Sequence, residues 1–337
     1  RLRWRTLVSD VPLGWTTEEL PRNSVFRIRL SGGSRTSNPL MAPKYYSPTD
    51  IAQVSSTNPL LSNIVLDLDN NDTSDLWGAM YTGGLIQLST QNDTTFFRTW
   101  TRWDGLPSDR VLSVSVDDDV TWVGTANGLA KIYDGQVLQL WDDVLSDSYV
   151  QSLDAHEGVV YVGTYQGLDR LVGQKVEHLL PHWSVFSILT DGSTTAVGYE
   201  GITFINKDDD INTQDWPGNV DALADIDGAL WMATEHKGLV QSTSEGTSVI
   251  LEDPINDILP REEDVWVAGE GTVWSFSKDN TDTLMEQLIG TGSMRALAEY
   301  NEKIWVGATG LHQLDLSLPK ENTDHHQQIP SVPFLTH

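Results

Sequence analysis

Short apolar runs recur along this chain at intervals far longer than any helix or strand period. Alternating runs at residues 64–68, 111–116, 150–153, 185–189, 220–223, 255–259 and 294–297 each end near an acidic residue and a polar turn. An aromatic-led segment follows each of them. Trp122-Val123-Gly124-Thr125 stands ahead of Gly128-Leu129, Tyr161-Val162-Gly163-Thr164 ahead of Gly167-Leu168, and Trp305-Val306-Gly307-Ala308 ahead of Gly310-Leu311. Looser copies are led by Trp77, Ala196, Trp231 and Trp266, so the leading positions lie 35 to 45 residues apart. A weaker fourth run closes some units, as at residues 96–100 and 137–141. The period-two alternation predicts strands, and no helical period lies between them.

A four-stranded antiparallel unit repeated seven times, with neighbouring residues such as Trp122 and Val123 both apolar, needs both faces of each sheet covered. Radial packing supplies that cover, so the expected fold class is all-β, a seven-bladed β-propeller over residues 59–318. Its blade core is expected to centre on Trp77, Trp122, Tyr161, Trp231, Trp266 and Trp305. The glycine after each aromatic pair is expected to let the next sheet approach. Asn127-Gly128 is expected to supply the positive φ angles of a tight hairpin turn.

The run Leu106-Pro107-Ser108-Asp109-Arg110-Val111, then an Asp-ended strand, then Trp122-Val123-Gly124-Thr125 and Gly128-Leu129, resembles the two-component-regulator propeller repeat. A variant of its opening occurs at residues 59–64. The resemblance covers residues 59–318 and implies a propeller of the kind found in sensor regions of bacterial membrane kinases.

Residues 1–58 do not share the repeat. They carry eight basic and four acidic residues, a net of +4, against 13 and 44 in the remainder, a net of −31. Strand-like alternation at residues 2–7 and 25–30 marks Arg1, Arg3, Trp4, Arg5, Phe26, Arg27 and Arg29 as candidate contact residues of a basic arm. One of these strands could close the ring by completing the last blade, and the other could add to a sheet edge. The tail, 319–337, reads as irregular, with Phe334 a candidate docking residue in an apolar stretch. A head-to-tail contact of arm on body that does not close would build a filament.

A net charge of −27 disfavours nucleic acid and anionic membrane surfaces as partners. It also fits work in concentrated salt, or an ordinary acidic secreted protein. There is no Cys, which removes disulfides and thiolate metal sites. No apolar run is long enough to insert into a membrane as a helix. The chain begins at Arg1, which fits a processed or truncated end, and the triplets at Asn71 and Asn92 fit an exterior location.

Candidate chemistry is sparse. His178 and His182 are separated by Pro181, which breaks the helix that would align them on a metal. Asp67, Asp69, Asn71, Asp72 and Asp75, or the runs 117–119 and 208–210, could gather oxygens around Ca²⁺, though solvated turn acids account for them as well. No nucleophile, phosphate or dinucleotide motif is present, and no cofactor is expected.

The function expected from sequence is therefore a non-catalytic extracellular propeller. It would act as a structural or adhesive module, with itself as partner through arm and tail. The alternatives are a sensor-type propeller binding a small ligand or a glycan, with exposed aromatics at blade turns such as Tyr165 and Tyr199, and a polysaccharide-active enzyme using rim carboxylates.

Overall fold

A computed structural model of the chain describes residues 64–314, apart from 71–74, 92–93, 142–143, 216–217 and 279. The basic arm and the tail, with Arg1, Arg3, Trp4, Arg5, Phe26, Arg27, Arg29 and Phe334, lie outside the described residues, as do the domain limits expected at 58–59 and 318–319.

The first sheet pairs β1 (Val65–Asn70), β2 (Asp75–Met80), β3 (Gly84–Gln91) and β4 (Thr94–Trp100), each strand antiparallel to the one before it. The second is built the same way from β5 (Val111–Asp117), β6 (Val120–Thr125), β7 (Gly128–Tyr133) and β8 (Gln136–Trp141). The third takes β9 (Val150–His156), β10 (Val159–Thr164), β11 (Gly167–Val172) and β12 (Lys175–Pro181). The fourth takes β13 (Ser187–Thr190), β14 (Thr194–Tyr199), β15 (Gly201–Asn206) and β16 (Ile211–Asp215). The fifth takes β17 (Val220–Ile226), β18 (Ala229–Thr234), β19 (Gly238–Thr243) and β20 (Gly246–Leu251). Three strands form the sixth, β21 (Ile255–Pro260), β22 (Asp264–Ser277) and β23 (Asn280–Ser293), and three the seventh, β24 (Ala296–Tyr300), β25 (Lys303–Ala308) and β26 (Gly310–Leu314).

The first strands pack on one another around an axis: β1 on β5, β5 on β9, β9 on β13, β13 on β17, β17 on β21, β21 on β24, and β24 back on β1. The architecture is thus an all-β propeller of antiparallel blades. Its blade count stands at six and not the expected seven, although seven separate sheets are paired.

Two sheets depart from the four-stranded pattern, for different reasons. In the sixth, β22 runs on for 14 residues, which fully extended would span about 45 Å. Yet the Lys278 N–H, just past one end, donates to the Glu263 carbonyl at the other (3.3 Å). The strand therefore folds back on itself about Gly271 (φ 73°) and does the work of two. The seventh sheet ends at β26 among the described residues. There Ile64, leading into β1, bridges Thr309 in the turn between β25 and β26.

The aromatic-led motif builds the core. Trp122 packs with Val150, Val160 and Val162 of the third sheet, while Val123 packs with Trp77, Trp100 and Val111 on the other side. Adjacent residues thus serve two inter-sheet cores. Trp77, Trp122, Trp231, Trp266 and Trp305 are all buried, and Tyr161 is half-buried. Burying such a side chain contributes about 3 kcal/mol.

The motif glycine has a steric cause. A Cβ on Gly163 would lie 2.7 Å from Val185 Cγ1 and 2.1 Å from Ser152 Oγ, and one on Gly307 would lie 2.9 Å from Val65 Cγ1, where the last sheet meets the first. The motif threonine closes the following turn: Thr125 and Thr164 Oγ1 donate to the carbonyls of Gly128 and Gly167 (2.8 and 2.9 Å). Within Asn127-Gly128 only the glycine has positive φ (113°), a correction to the expected two-residue turn. The Thr125 hydroxyl, accepting from the Asn127 N–H (3.1 Å), holds the rest of that turn.

The acids that end the first strands latch one sheet to the next. Asp67 and Asp69 accept from the N–H groups of Val114 and Val116 (2.8 and 2.7 Å), Asp154 from Thr190 (2.6 Å) and Asp257 from Leu297 (2.6 Å). Asp117 accepts from Gly158 (2.6 Å). Such bonds satisfy N–H groups that have no ladder partner between converging first strands. Burial pushes the Asp67 carboxyl up to about 6 and those of Asp154 and Asp257 up to about 7. Asp69 rises to about 8, by burial first and then by repulsion from Asp67 and Asp154, against the lowering by the Val116 N–H. Each keeps some solvent-accessible surface, which screens these shifts.

Carboxyls raised in the folded state favour folding most below their unfolded value near 4, and that contribution is lost as pH rises through 6 to 8. The melting temperature should therefore climb as pH falls from 8 to 5, and Asp69→Asn should flatten the slope; an unchanged slope in the variant would show that Asp69 is ionised throughout. Gly163→Ala should lower stability by about 1–3 kcal/mol through overpacking against Val185, read by denaturant melts.

Candidate functional site

In an antiparallel sheet the start of the first strand lies beside the end of the second, as Val150 pairs with Thr164 and Val220 with Thr234. The leads into the first strands and the turns after the second strands therefore emerge at one end of the propeller. On the first four sheets this end carries an aromatic crescent.

Tyr81, in the turn after β2, lies under the Arg110 guanidinium, whose carbon is 4.7 Å from the ring centroid. Arg110 leads into β5 and also neighbours Tyr149, which leads into β9. The Tyr149 ring stacks on Tyr165 in the turn after β10 (centroids 4.6 Å apart, planes at 28°). One sheet further, Trp183 stacks on Tyr199 at the end of β14 (4.4 Å, 21°). Tyr165 is 50% exposed, so stacking fixes one face of its ring and leaves the other to solvent. Burial, then Tyr165, pushes the Tyr149 phenol up, and Arg110 opposes the shift.

Beyond Tyr199 the same end turns acidic. Glu235 follows β18, Asn219 leads into β17, and the Asn219 N–H points at the Glu235 carboxylate (3.5 Å). Asp221 is raised by burial and then by Glu235. A carboxyl raised beside a second carboxylate is able to hold and release a proton.

The sequence placed Tyr165 and Tyr199 at blade turns, and the structure brings each against a partner the sequence left unmarked. Of the first expected oxygen cluster, Asn71 and Asp72 lie outside the described residues, Asp67 and Asp69 face the axis, and Asp75 holds Gln87 (2.8 Å) and the Ser89 hydroxyl. Among the described residues no three His, Asp or Glu side chains are placed to hold a metal ion. His178 faces the buried Asp169 carboxylate with Nδ1 (2.6 Å) and not His182.

No family model matches the chain, and no curated protein matches it. Solved structures do. The extracellular domain of the hybrid two component system BT3049 from B. thetaiotaomicron superposes with a TM-score of 0.62 at 18% identity, over 75% of this chain and 40% of that one. Virginiamycin B lyase from Staphylococcus aureus gives 0.62 at 14%, over 73% and 92%. YCF48 bound to D1 peptide gives 0.60 at 15%, over 77% and 95%.

What these proteins share with the chain is the propeller. The chain spans about two fifths of the BT3049 domain. The presence of a lyase on this fold overturns the expectation of a non-enzyme, because the reasons for it lay in fold and missing motifs, and the fold admits catalysis. A filament through arm and tail finds no support. No helix among the described residues is long and apolar enough to cross a membrane.

Proposed function

We propose that this chain is an extracellular interaction module that binds a protein segment on the aromatic end of its propeller. The observation that carries the reading is the pair of stacks, Tyr149 on Tyr165 and Trp183 on Tyr199, set beside Arg110 over Tyr81. Tyr, Trp and Arg are the side chains that dominate binding energy at protein interfaces, and rings already held by a neighbour lose little freedom on binding. Extracellular placement is supported by the likeness to a two-component sensor domain, and a peptide partner by the likeness to a propeller bound to one.

We read all seven sheets as blades. Supporting this are the close contact of Gly307 with Val65 between the last sheet and the first, and the fold-back of β22 that gives the sixth sheet its missing arm. The bridge from Ile64 to Thr309 of the seventh sheet favours closure by a segment ahead of β1.

Peptides enriched on the immobilised full chain from a displayed library should carry apolar or aromatic anchors. They should bind Tyr165→Ala about tenfold or more weakly while that variant melts like the parent, and should bind Trp183→Ala as weakly, with a lower melting temperature because Trp183 also packs on the core beside Val185. Equal affinity for parent and variants, or enrichment of glycans and no peptides, would remove the assignment.

A further inference from the structure

We propose that a cleft between the first and second sheets binds an alkylguanidinium group. The cleft, of about 360 Å³, opens at the end of the propeller away from the aromatic crescent. Trp77, Gln87 and Trp100 wall it from the first sheet, and Asp119, Tyr133 and Asp134 from the second. Asp119 lies in the turn before β6 and Asp134 in the turn after β7, both exposed, and neither forms a hydrogen bond or ion pair among the described residues.

The internal repeat shows what such a place can hold. Gln87 is the third residue after Gly84 in β3, and Arg170 is the third after Gly167 in β11. Arg170 Nη1 crosses to Asp209 (2.5 Å), in the turn after the third strand of the next sheet, while its Nε donates to Glu177 (2.9 Å). Asp134 occupies the matching turn of the second sheet. So between the third and fourth sheets the protein fills the position with its own guanidinium. Between the first and second it places a neutral Gln87, which accepts from the Trp100 indole N–H (3.2 Å) and donates to Asp75 (2.8 Å). Arg98 holds its guanidinium carbon 3.4 Å from the Trp100 ring centroid, and its Nη2 donates to the Gly135 carbonyl (3.5 Å).

Geometry selects the ligand class. The carboxylates do not converge as a metal ion requires. A planar guanidinium, by contrast, takes carboxylates at its edge and an aromatic ring on its face; Asp119 and Asp134 offer the first and the exposed Tyr133 the second, Trp77 and Trp100 being buried and Trp100 already covered by Arg98. Its source is either a free alkylguanidine or an arginine side chain of a polypeptide.

Calorimetric titration of the full chain with N-butylguanidinium, and separately with acetyl-Gly-Arg-Gly-amide, should show saturable, salt-sensitive binding of both. The double variant Asp119→Asn with Asp134→Asn should weaken it about tenfold or more. A tighter peptide assigns the site to arginine in a chain, and equal affinity assigns it to the free base. Gln87→Arg, which copies Arg170, should abolish binding and leave the fold intact by melting. The proposal is overturned if neither probe saturates, if n-butylammonium or Ca²⁺ binds as tightly, or if binding survives either variant.

Discussion

The ring depends on how closely one sheet can approach the next at its axial end. There a valine at the start of a first strand or just ahead of it, Val65 or Val185, sits against the glycine of the preceding sheet, Gly307 or Gly163, with no room for a methyl group. Because the sheets converge at this point and splay outward, the aromatic side chains that follow the taper can be large on one side and must be small on the other. Convergence also strands backbone N–H groups, since the first strands meet at an angle that forms no ladder. The inward carboxylates of Asp67, Asp69, Asp117, Asp154 and Asp257 answer that need. Where the fourth and fifth sheets meet a different device appears: Ser187 Oγ donates to the Val220 carbonyl (2.7 Å).

Much of this was legible in the sequence because the motif is short-range. The aromatic pair, the glycine and the threonine act within one hairpin or against the next sheet at a fixed offset, so a period of 35 to 45 residues reports all of them at once. What escaped reading acts between separated turns. Tyr149 meets Tyr165 across 16 positions and Trp183 meets Tyr199 across another 16, outside the motif, where a tyrosine or tryptophan resembles any core residue. The latching role of the strand-end acids was hidden for another reason. In a chain with 48 acidic residues, no single carboxylate stands out.

That acidity itself has two structural sources. Asp118, Asp134, Asp209 and Asp227 all have positive φ, between 47° and 64°, in turns at the end away from the aromatic crescent, and short polar side chains tolerate this region better than most. Four further acids face the axis, where burial raises their carboxyls to between about 6 and 8, so that near neutral pH Asp69 is largely protonated, Asp154 and Asp257 partly, and Asp67 mostly ionised. The formal −27 therefore overstates the charge a partner meets, and what remains is concentrated at the turns.

The two ends of the propeller consequently offer different chemistry. One presents preset rings beside Arg110, where contact area decides affinity more than charge does. The other presents carboxylates at hairpin turns, where a cation gains most and salt competes directly. Because the two ends are joined by rigid sheets and not by a hinge, occupation of one needs no rearrangement of the other. A partner carrying both an apolar segment and a distant arginine would have to reach around the rim, so the simplest use of this fold is two independent contacts, distinguishable by their response to ionic strength.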